Sequence, residues 1–327
     1  MQDHESSKGQ GGAATAICTL FEGDYHLGLA AFVNSLVRAS YTGTVWVGYR
    51  GVQPPWLSQL EKVGDGTEEY GGGPEYVVAG KVRLVFLRLD TKLHLTNLKP
   101  QFMLDLLANK ASQCEYLWYF DPDVFLRCDW AFFSKWQRYG IALCEEIVNY
   151  NMAEGHPIRL QWADLGAELG LGKPRLLHQY FSGGMVGVAS SHAGFLRTWK
   201  RILDWVCTAG YDLEKFKPGA PDMPFNSTDQ DALNMAAMYT DLPLTTMGPD
   251  AMGFVPSGYV MYHAVGQKPW RGSFLMRALA GYPPSGAAKY FLTQVSTPIR
   301  AYSPLRLFGK RVECGIAAAI GWFYRRG

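Results

Sequence analysis

Strand-like and helical segments alternate at the start of the chain, and this alternation limits the folds that it can adopt. Residues 14–20 form a compact apolar run, residues 25–39 carry apolar side chains at helical spacing, and residues 44–49 form a second strand-like run. A strand, a helix and a strand within this length make a βαβ unit, whose strands are parallel. The sequence therefore predicts an α/β fold with a mixed, mainly parallel sheet that is flanked by helices.

The same alternation continues along the chain. After Arg271 the chain is punctuated by Pro and Gly, which predicts an irregular helical C-terminal tail. Residues 155–173 show no clear element. We predict further strands at residues 82–89, 116–120, 141–144 and 180–188, and further helices at residues 101–109, 129–137, 192–207 and 226–239.

Composition excludes some classes of function. Of the 327 residues 48% are hydrophobic, enough for a sizeable core, and 31 basic and 29 acidic side chains give a formal charge of +2. This balance gives no electrostatic case for a nucleic-acid partner. The six cysteines are scattered without a C-x-x-C pair, and residues 1–12 contain no apolar signal segment, so we expect a cytoplasmic protein.

An acid pair, Asp121 and Asp123, directly follows the predicted strand 116–120, a continuous apolar run typical of a strand buried on both faces. Alternate residues of an extended chain point the same way, and Pro122 favours an extended Asp121, so both carboxylates are expected to face one point. Acids at strand ends often serve only in turns. Carboxylates at the carboxyl edge of an α/β sheet are also the ligands that Mg²⁺ or Mn²⁺ prefers beside a phosphate.

A second segment, around His263, carries chemistry that would complement the acid pair. An isolated His after an apolar stretch is usually an ordinary core or turn residue. Here Gly266 and Lys268 follow it, and an imidazole can complete a Mn²⁺ site while a lysine can neutralise a phosphate.

The third segment with suitable chemistry is Asp229-Gln230-Asp231, at the start of the helix predicted over residues 226–239. Helix capping could explain one of the acids, and a functional role of the segment is the alternative.

Together these features resemble the glycosyltransferases of the GT-A fold, which is Rossmann-like. The sequence is most similar to the retaining family 8 group, which includes glycogenin and bacterial galactosyltransferases. The resemblance covers residues 14–270, and the D-x-D pair alone would be weak evidence for it. The matching elements, in order, are Cys18-Thr19-Leu20 with Tyr25-x-x-Gly28, Asp121-Pro122-Asp123, Tyr180-Phe181-Ser182-Gly183-Gly184 with Asp229-Gln230-Asp231-x-Leu233-Asn234, and His263-x-x-Gly266 with Lys268-Pro269-Trp270.

The resemblance implies a metal and a donor site. Asp121, Asp123 and His263 would hold Mn²⁺ or Mg²⁺, which would bind a nucleotide diphosphate sugar, with a UDP-sugar favoured. Residues 91–94 resemble a glycogenin segment, but Lys99 is an equally good candidate for a donor-contacting lysine. The implied donor-binding residues are Thr19, Leu20, Tyr25, Lys99, Asp121, Pro122, Asp123, Gly183, Gly184, Gly266 and Lys268.

The resemblance also implies catalytic residues. Asp229 and Gln230 match the position beside the anomeric carbon, with Asp231 as the alternative, and Lys268 would contact the departing phosphates. One residue separates Gly266 from Lys268, where the family usually has two. The expected reaction moves a hexose to an acceptor hydroxyl with retention of configuration.

Two alternatives to this function remain open. A non-catalytic nucleotide-sugar-binding protein could keep the same fold, although it need not keep every one of these residues. A nucleotidyltransferase of this fold usually has a basic, Gly-rich segment after the first strand, and residues 20–28 contain no Lys or Arg.

We expect a disordered leader at residues 1–12, a GT-A catalytic domain at residues 13–270 and a C-terminal extension at residues 271–327. The acceptor could be a glycan, a glycolipid or a small molecule, and residues 149–179 and the extension are expected to select it. The apolar run in the extension is too short to span a membrane. It could contact the inner face of one, although docking on the domain is favoured. Residues of this kind are usually part of the core or the ordinary surface. As candidate acceptor contacts we name Tyr150, His156, Trp162 and Tyr180.

Overall fold

The structure is a computed structural model and describes residues 14–64, 73–147, 152–220, 222–256 and 258–324. The predicted leader and Tyr150 lie outside these ranges. The strands are β1 (Thr15–Glu22), β2 (Gly43–Arg50), β3 (Glu61–Gly64), β4 (Glu75–Val78), β5 (Val82–Arg88), β6 (Tyr116–Phe120), β7 (Val124–Leu126), β8 (Ile141–Cys144), β9 (Met185–Ala189), β10 (Leu244–Met247) and β11 (Met261–His263). The helices are α1 (His26–Arg38), α2 (Lys99–Asp105), α3 (Trp130–Trp136), α4 (Pro157–Glu168), α5 (Ala193–Thr208), α6 (Thr228–Met238), α7 (Phe274–Leu279), α8 (Gly286–Gln294) and α9 (Pro304–Tyr324).

Nine strands of the described chain form a central sheet in the order β10-β8-β9-β6-β1-β2-β5-β4-β3. Seven of them run in one direction, and β4 and β9 run opposite to the others. β7 and β11 form a separate antiparallel pair. The predicted α/β class with a mixed, mainly parallel sheet is confirmed.

β6 lies near the middle of the sheet and is buried on both faces, as its continuous apolar sequence predicts. Trp118 and Phe120 belong to one apolar layer, where their rings stack with centroids 5.7 Å apart, and Leu117 and Tyr119 belong to the layer on the other face. Helices α1, α3 and α8 contribute to the first layer, and α2, α5 and α6 contribute to the second. The two layers together hold β6 and so fix the start of the turn that follows it.

Residues 155–173, where no element is predicted, contain α4, so that prediction is wrong. Pro157 takes the first helical position, and the His156 side chain accepts a hydrogen bond from a backbone N–H of the first turn at 3.2 Å. The helix buries Arg159 beside Trp162, and Arg159 Nε donates to a backbone carbonyl at 2.7 Å. A buried charged side chain breaks the apolar period by which helices are recognised in a sequence.

The segment after Trp270 folds back on the first helix of the chain. α8 packs against α1, and the buried Asn34 of α1 binds the connection between α8 and α9. Asn34 Nδ2 donates to the carbonyls of Gln294 at 2.6 Å and Ile299 at 2.8 Å, and Asn34 Oδ1 accepts from the Ile299 N–H at 2.9 Å. A single amide therefore satisfies three backbone groups of a distant segment. None of the described helices has the length and apolar character needed to cross a membrane.

We expect Asn34→Ala to destabilise the protein by about 3 kcal/mol or more, because each buried polar group left without a partner costs about 1–3 kcal/mol. Urea unfolding followed by circular dichroism measures this loss. Asn109→Ala is the matched control, since the exposed Asn109 side chain makes one bond to a backbone carbonyl, at 3.0 Å, and its loss should change stability by less than about 0.5 kcal/mol. Equal losses in the two variants would show that the C-terminal segment does not depend on Asn34.

Candidate active site

The pairing of β7 with β11 brings two distant parts of the chain together. Asp121 and Asp123 lie in the turn between β6 and β7. In the antiparallel β7–β11 pair His263 stands opposite Val124, and the backbone N–H of Ala264 donates to Asp123 O at 2.9 Å. The register of this short pair therefore places the imidazole beside the acid pair.

One oxygen of each acid faces the imidazole. His263 Nε2 lies 3.8 Å from Asp121 Oδ2 and 3.4 Å from Asp123 Oδ1. Burial alone would raise the pKa of Asp123, but His263 and Lys268 outweigh it and hold the pKa of this carboxyl below its ordinary value. Asp123 thus stays ionised in a nearly solvent-free position.

The other oxygen of each acid is bound to a protein donor. Asp121 Oδ1 accepts the Tyr119 hydroxyl at 2.8 Å and lies 3.2 Å from Lys99 Nζ. Asp123 Oδ2 lies 2.5 Å from Lys268 Nζ. These contacts fix both carboxylates so that the remaining oxygens stay directed at His263.

Gly184 borders this cluster, and a side chain there would not fit. The Asp121 N–H donates to Gly184 O at 2.9 Å, which holds the turn against the chain just before β9. A Cβ on Gly184 would lie 2.5 Å from His263 Cε1 and 3.2 Å from Asp121 Oδ2. Glycine is therefore required for the imidazole and the carboxylate to approach each other.

The three atoms that face one another fit a hard divalent cation. Asp121, Asp123 and His263 offer one ligand atom each, all within 4.8 Å of one another. In an octahedral site with metal–oxygen distances of 2.0–2.1 Å, neighbouring ligands lie about 3 Å apart and opposite ligands about 4 Å apart. The two distances from His263 Nε2, 3.8 Å to Asp121 and 3.4 Å to Asp123, lie between these values, so the two carboxylates and the imidazole could hold one divalent cation.

Lys99 joins the acid pair to the start of α6. Its side chain is only 2% exposed, and its ammonium group lies 3.0 Å from Asp229 Oδ2 and donates to Gly183 O at 2.8 Å, in addition to the contact with Asp121. Burial lowers the pKa of Lys99, but Asp121 and Asp229 more than offset this, so the pKa lies above its ordinary value. Lys99 is therefore a buried cation between two acids.

The residues of the α6 start separate into two groups. Asp229 faces Lys99, and Gln230 Oε1 accepts the Gly183 N–H at 2.9 Å. Asp231 instead accepts the Ser227 N–H at 2.7 Å, which caps the helix, and the Tyr180 hydroxyl at 2.6 Å. Burial raises the pKa of Asp231 to about 7.

The segment that carries Lys268 is bound to the turn that follows β1. Gly266 has a φ of +70°, the left-handed region that glycine tolerates. Lys268 and Arg271 lie over the Tyr25 ring, 5.6 Å and 5.1 Å from its centroid. Arg271 also forms a two-bond ion pair with Asp24, at 2.6 Å and 2.5 Å. Tyr25 and Lys268 are therefore neighbours.

Other predicted site residues are placed at its border or in the core. Thr19 is fully buried in β1, and its hydroxyl has no hydrogen-bond partner in the described part of the chain. The Leu20 side chain packs in the core, and the Pro122 carbonyl faces Gly28 of α1. Trp162 is fully buried.

Sequence reasoning missed two contacts within the site. It did not connect Lys99 to both Asp121 and Asp229, nor the Tyr119 hydroxyl to Asp121. A lysine next to a proline at a helix start, as in Lys99-Pro100, gives no signal that its side chain is buried. Tyr119 stands two residues before Asp121 in an extended chain, so the same-side rule could have found this contact.

The chain shares its fold with solved glycosyltransferase structures. The apo structure of the bifunctional glycosyltransferase WbbM matches 92% of this chain with a TM-score of 0.53 and 12% sequence identity. The glycosyltransferase GlyE of Streptococcus pneumoniae TIGR4 matches 93% of it with a TM-score of 0.51 and 13% identity. The chain spans 52% of the WbbM chain and 64% of the GlyE chain. No known protein-family profile matches the sequence, and no curated protein sequence matches it either.

We expect Lys99→Met to destabilise the protein by about 3–5 kcal/mol, because it leaves the buried Asp229 carboxylate and the partly exposed Asp121 carboxylate without their shared cation. Chemical unfolding measures the loss. Lys200→Met is the control, since Lys200 pairs with Asp204 at 2.6 Å on the surface of α5, and such exposed pairs contribute only about 0.3–0.5 kcal/mol. If Lys99→Met cost no more than the control, Lys99 would not be the cation that holds the cluster together.

Proposed function

We propose that this protein is a metal-dependent glycosyltransferase that moves a sugar from a nucleotide diphosphate donor to an acceptor hydroxyl. The observation that carries the proposal is the convergence of Asp121, Asp123 and His263 at the carboxyl edge of the sheet, with Lys268 beside them. A fold shared with glycosyltransferases supports it.

The proposed donor site combines a metal with positive side chains. A bound divalent cation would supply a Lewis acid that neutralises charge developing on the diphosphate. Lys268 contacts Asp123 beside the proposed metal site. On donor binding a phosphate oxygen would replace Asp123 as its partner, which would place a second positive charge beside the leaving group. Leaving-group stabilisation is thus the main contribution that we assign to this side of the site.

The proposed sugar side is formed by Asp229 and Gln230. Lys99 and the Gly183 N–H hold these two side chains. Gln230 is a poor nucleophile, so we favour attack of the acceptor hydroxyl on the face that the diphosphate has left, with retention of configuration. The departing phosphate would accept the hydroxyl proton. Asp231 is bound to a helix cap and to Tyr180, which favours a structural role for it.

The finer features of the proposal rest on the sequence resemblance to the retaining family 8 group. They are the choice of a UDP-sugar, a hexose as the transferred group, retention and the placement of Thr19 and Tyr25 near the base. A glycan, a glycolipid or a small molecule would be the acceptor.

We expect the wild-type protein to release the nucleoside diphosphate from one of a panel of UDP- and GDP-sugars in the presence of Mn²⁺, and Asp123→Asn to reduce this rate on the order of a hundredfold or more. The substitution keeps the shape of the side chain but removes the charge that faces His263 and Lys268. A coupled assay for the released nucleoside diphosphate measures the rate.

The control for this experiment is Asp204→Asn, an exposed acid on α5, which should leave turnover unchanged. Equal activity of Asp123→Asn and wild type would refute the metal hypothesis. Metal-dependent binding of a nucleotide sugar without release of any diphosphate would favour the non-catalytic alternative.

We expect Gly184→Ala to weaken Mn²⁺ binding by about 10–100-fold, because the added methyl group displaces the His263 ring while every ligand remains present. Isothermal titration calorimetry with Mn²⁺ measures the affinity without relying on turnover. Gly309→Ala places the same methyl group in open space on α9 and should bind Mn²⁺ as the wild type does. Unchanged affinity in Gly184→Ala would mean that His263 is not a ligand.

A further inference from the structure

The outward face of α9 is apolar, which reverses the usual pattern of a surface helix. Leu307, Cys314, Ala317 and Gly321 are buried against the rest of the protein. On the opposite side apolar residues recur at intervals of three and four, so they form one stripe along the helix. The stripe, hereafter the α9 face, consists of Leu305, Phe308, Val312, Ile316, Ala319 and Phe323, and its five large residues are 45–84% exposed.

Exposed aromatic and apolar residues continue around the end of this helix. Trp322 is 70% exposed and Tyr324 54%, next to Phe323. The neighbouring α7 exposes Met276 and Leu279. A single exposed apolar side chain needs no explanation, but so many in one region of a protein mark a contact surface.

The charge of this region identifies the kind of contact. Residues 271–327 contain nine Lys and Arg and a single acid, Glu313, whereas residues 1–270 contain 22 basic and 28 acidic side chains. Positive charge is thus concentrated in the segment that carries the α9 face. An apolar helix face with Trp and Tyr at one end and basic residues around it is typical of a helix that lies in the surface of an anionic membrane.

We propose that the α9 face docks on the surface of an anionic phospholipid bilayer. The apolar stripe enters the headgroup region, Trp322 and Tyr324 lie at the boundary, and the exposed Arg306, on a flank of the stripe, contacts the lipid phosphates. The helix lies along the membrane instead of crossing it.

Docking in this way would place α7, which packs against α9, near the membrane. An open cavity of about 450 Å³ is lined by Gln267, Met276, Arg277, Ala280 and Tyr282. Gln267 precedes Lys268, so the cavity leads from α7 to the segment that contacts Asp123. The acceptor would accordingly be a lipid-anchored molecule, a consequence that rests on the proposed function, whereas the docking itself does not.

We expect the full-length protein to sediment with phosphatidylcholine vesicles that contain phosphatidylglycerol, and not with phosphatidylcholine alone. Raising the salt concentration should weaken binding, because charge contributes to it. Val312→Glu/Ile316→Glu should reduce the partition coefficient on the order of tenfold or more, since it places two charges in the stripe.

The control is Val63→Glu/Tyr139→Glu, which adds the same charge at two exposed apolar residues elsewhere. It should bind vesicles nearly as the wild type does, and both double variants should keep the wild-type melting temperature. Failure of the wild type to bind anionic vesicles, or equal losses in the two variants, would overturn the proposal.

A wild-type dimer that the α9 variant converts to a monomer, measured by light scattering, would assign the face to a second copy instead. The vesicle assay needs neither metal nor donor, so absence of transferase activity would not affect its result.

Discussion

The buried ammonium group of Lys99 is the interaction on which the candidate site depends. It joins the start of α2 to the turn after β6 and to the start of α6, through Asp121, Asp229 and the carbonyl of Gly183. Neither the Lys99 ammonium group nor the Asp229 carboxylate could be buried alone, because removing an unpaired charge from water costs several kcal/mol. The fold therefore forms the site as a unit: β6 delivers one acid, α6 delivers the other, and the lysine compensates both.

Charge balance also explains why the cluster suits a metal and a diphosphate. Three carboxylates, those of Asp121, Asp123 and Asp229, face the two ammonium groups of Lys99 and Lys268, so the cluster carries one net negative charge when His263 is neutral. A divalent cation would reverse that sign and make the site attractive to an anionic ligand. Because each lysine occupies one oxygen of an acid in the D-x-D pair, the second oxygen remains available on the side of the imidazole.

The parts of this arrangement that could be predicted from the sequence are the local ones. The βαβ start, the buried strand β6 and the direction of the two acids after it follow from side-chain period and from Pro122. His263 could be proposed as a ligand because of its chemistry, but the β7–β11 register that brings it to Asp123 depends on pairs such as His263 with Val124, 139 residues apart along the chain. Burial of Lys99 is likewise a long-range property. The same holds at α6, where Asp229 and Asp231 look equivalent in sequence and only the three-dimensional contacts show that one faces a lysine while the other caps a helix.

The contacts of α1 connect the C-terminal helices to the site. Asn34 holds the connection between α8 and α9. Six residues earlier in α1, Gly28 lies against the Pro122 carbonyl and the Trp270 ring, with no room for a Cβ. The ion pair between Asp24 and Arg271 adds another contact between the turn after β1 and the start of the C-terminal segment. Because a protein interior is close-packed and has low compressibility, helices packed in this way keep a fixed position relative to one another. α9 is thus linked through α8 and α1 to the edge of the sheet that carries the acids, and Lys99, Lys268 and His263 surround the acids themselves.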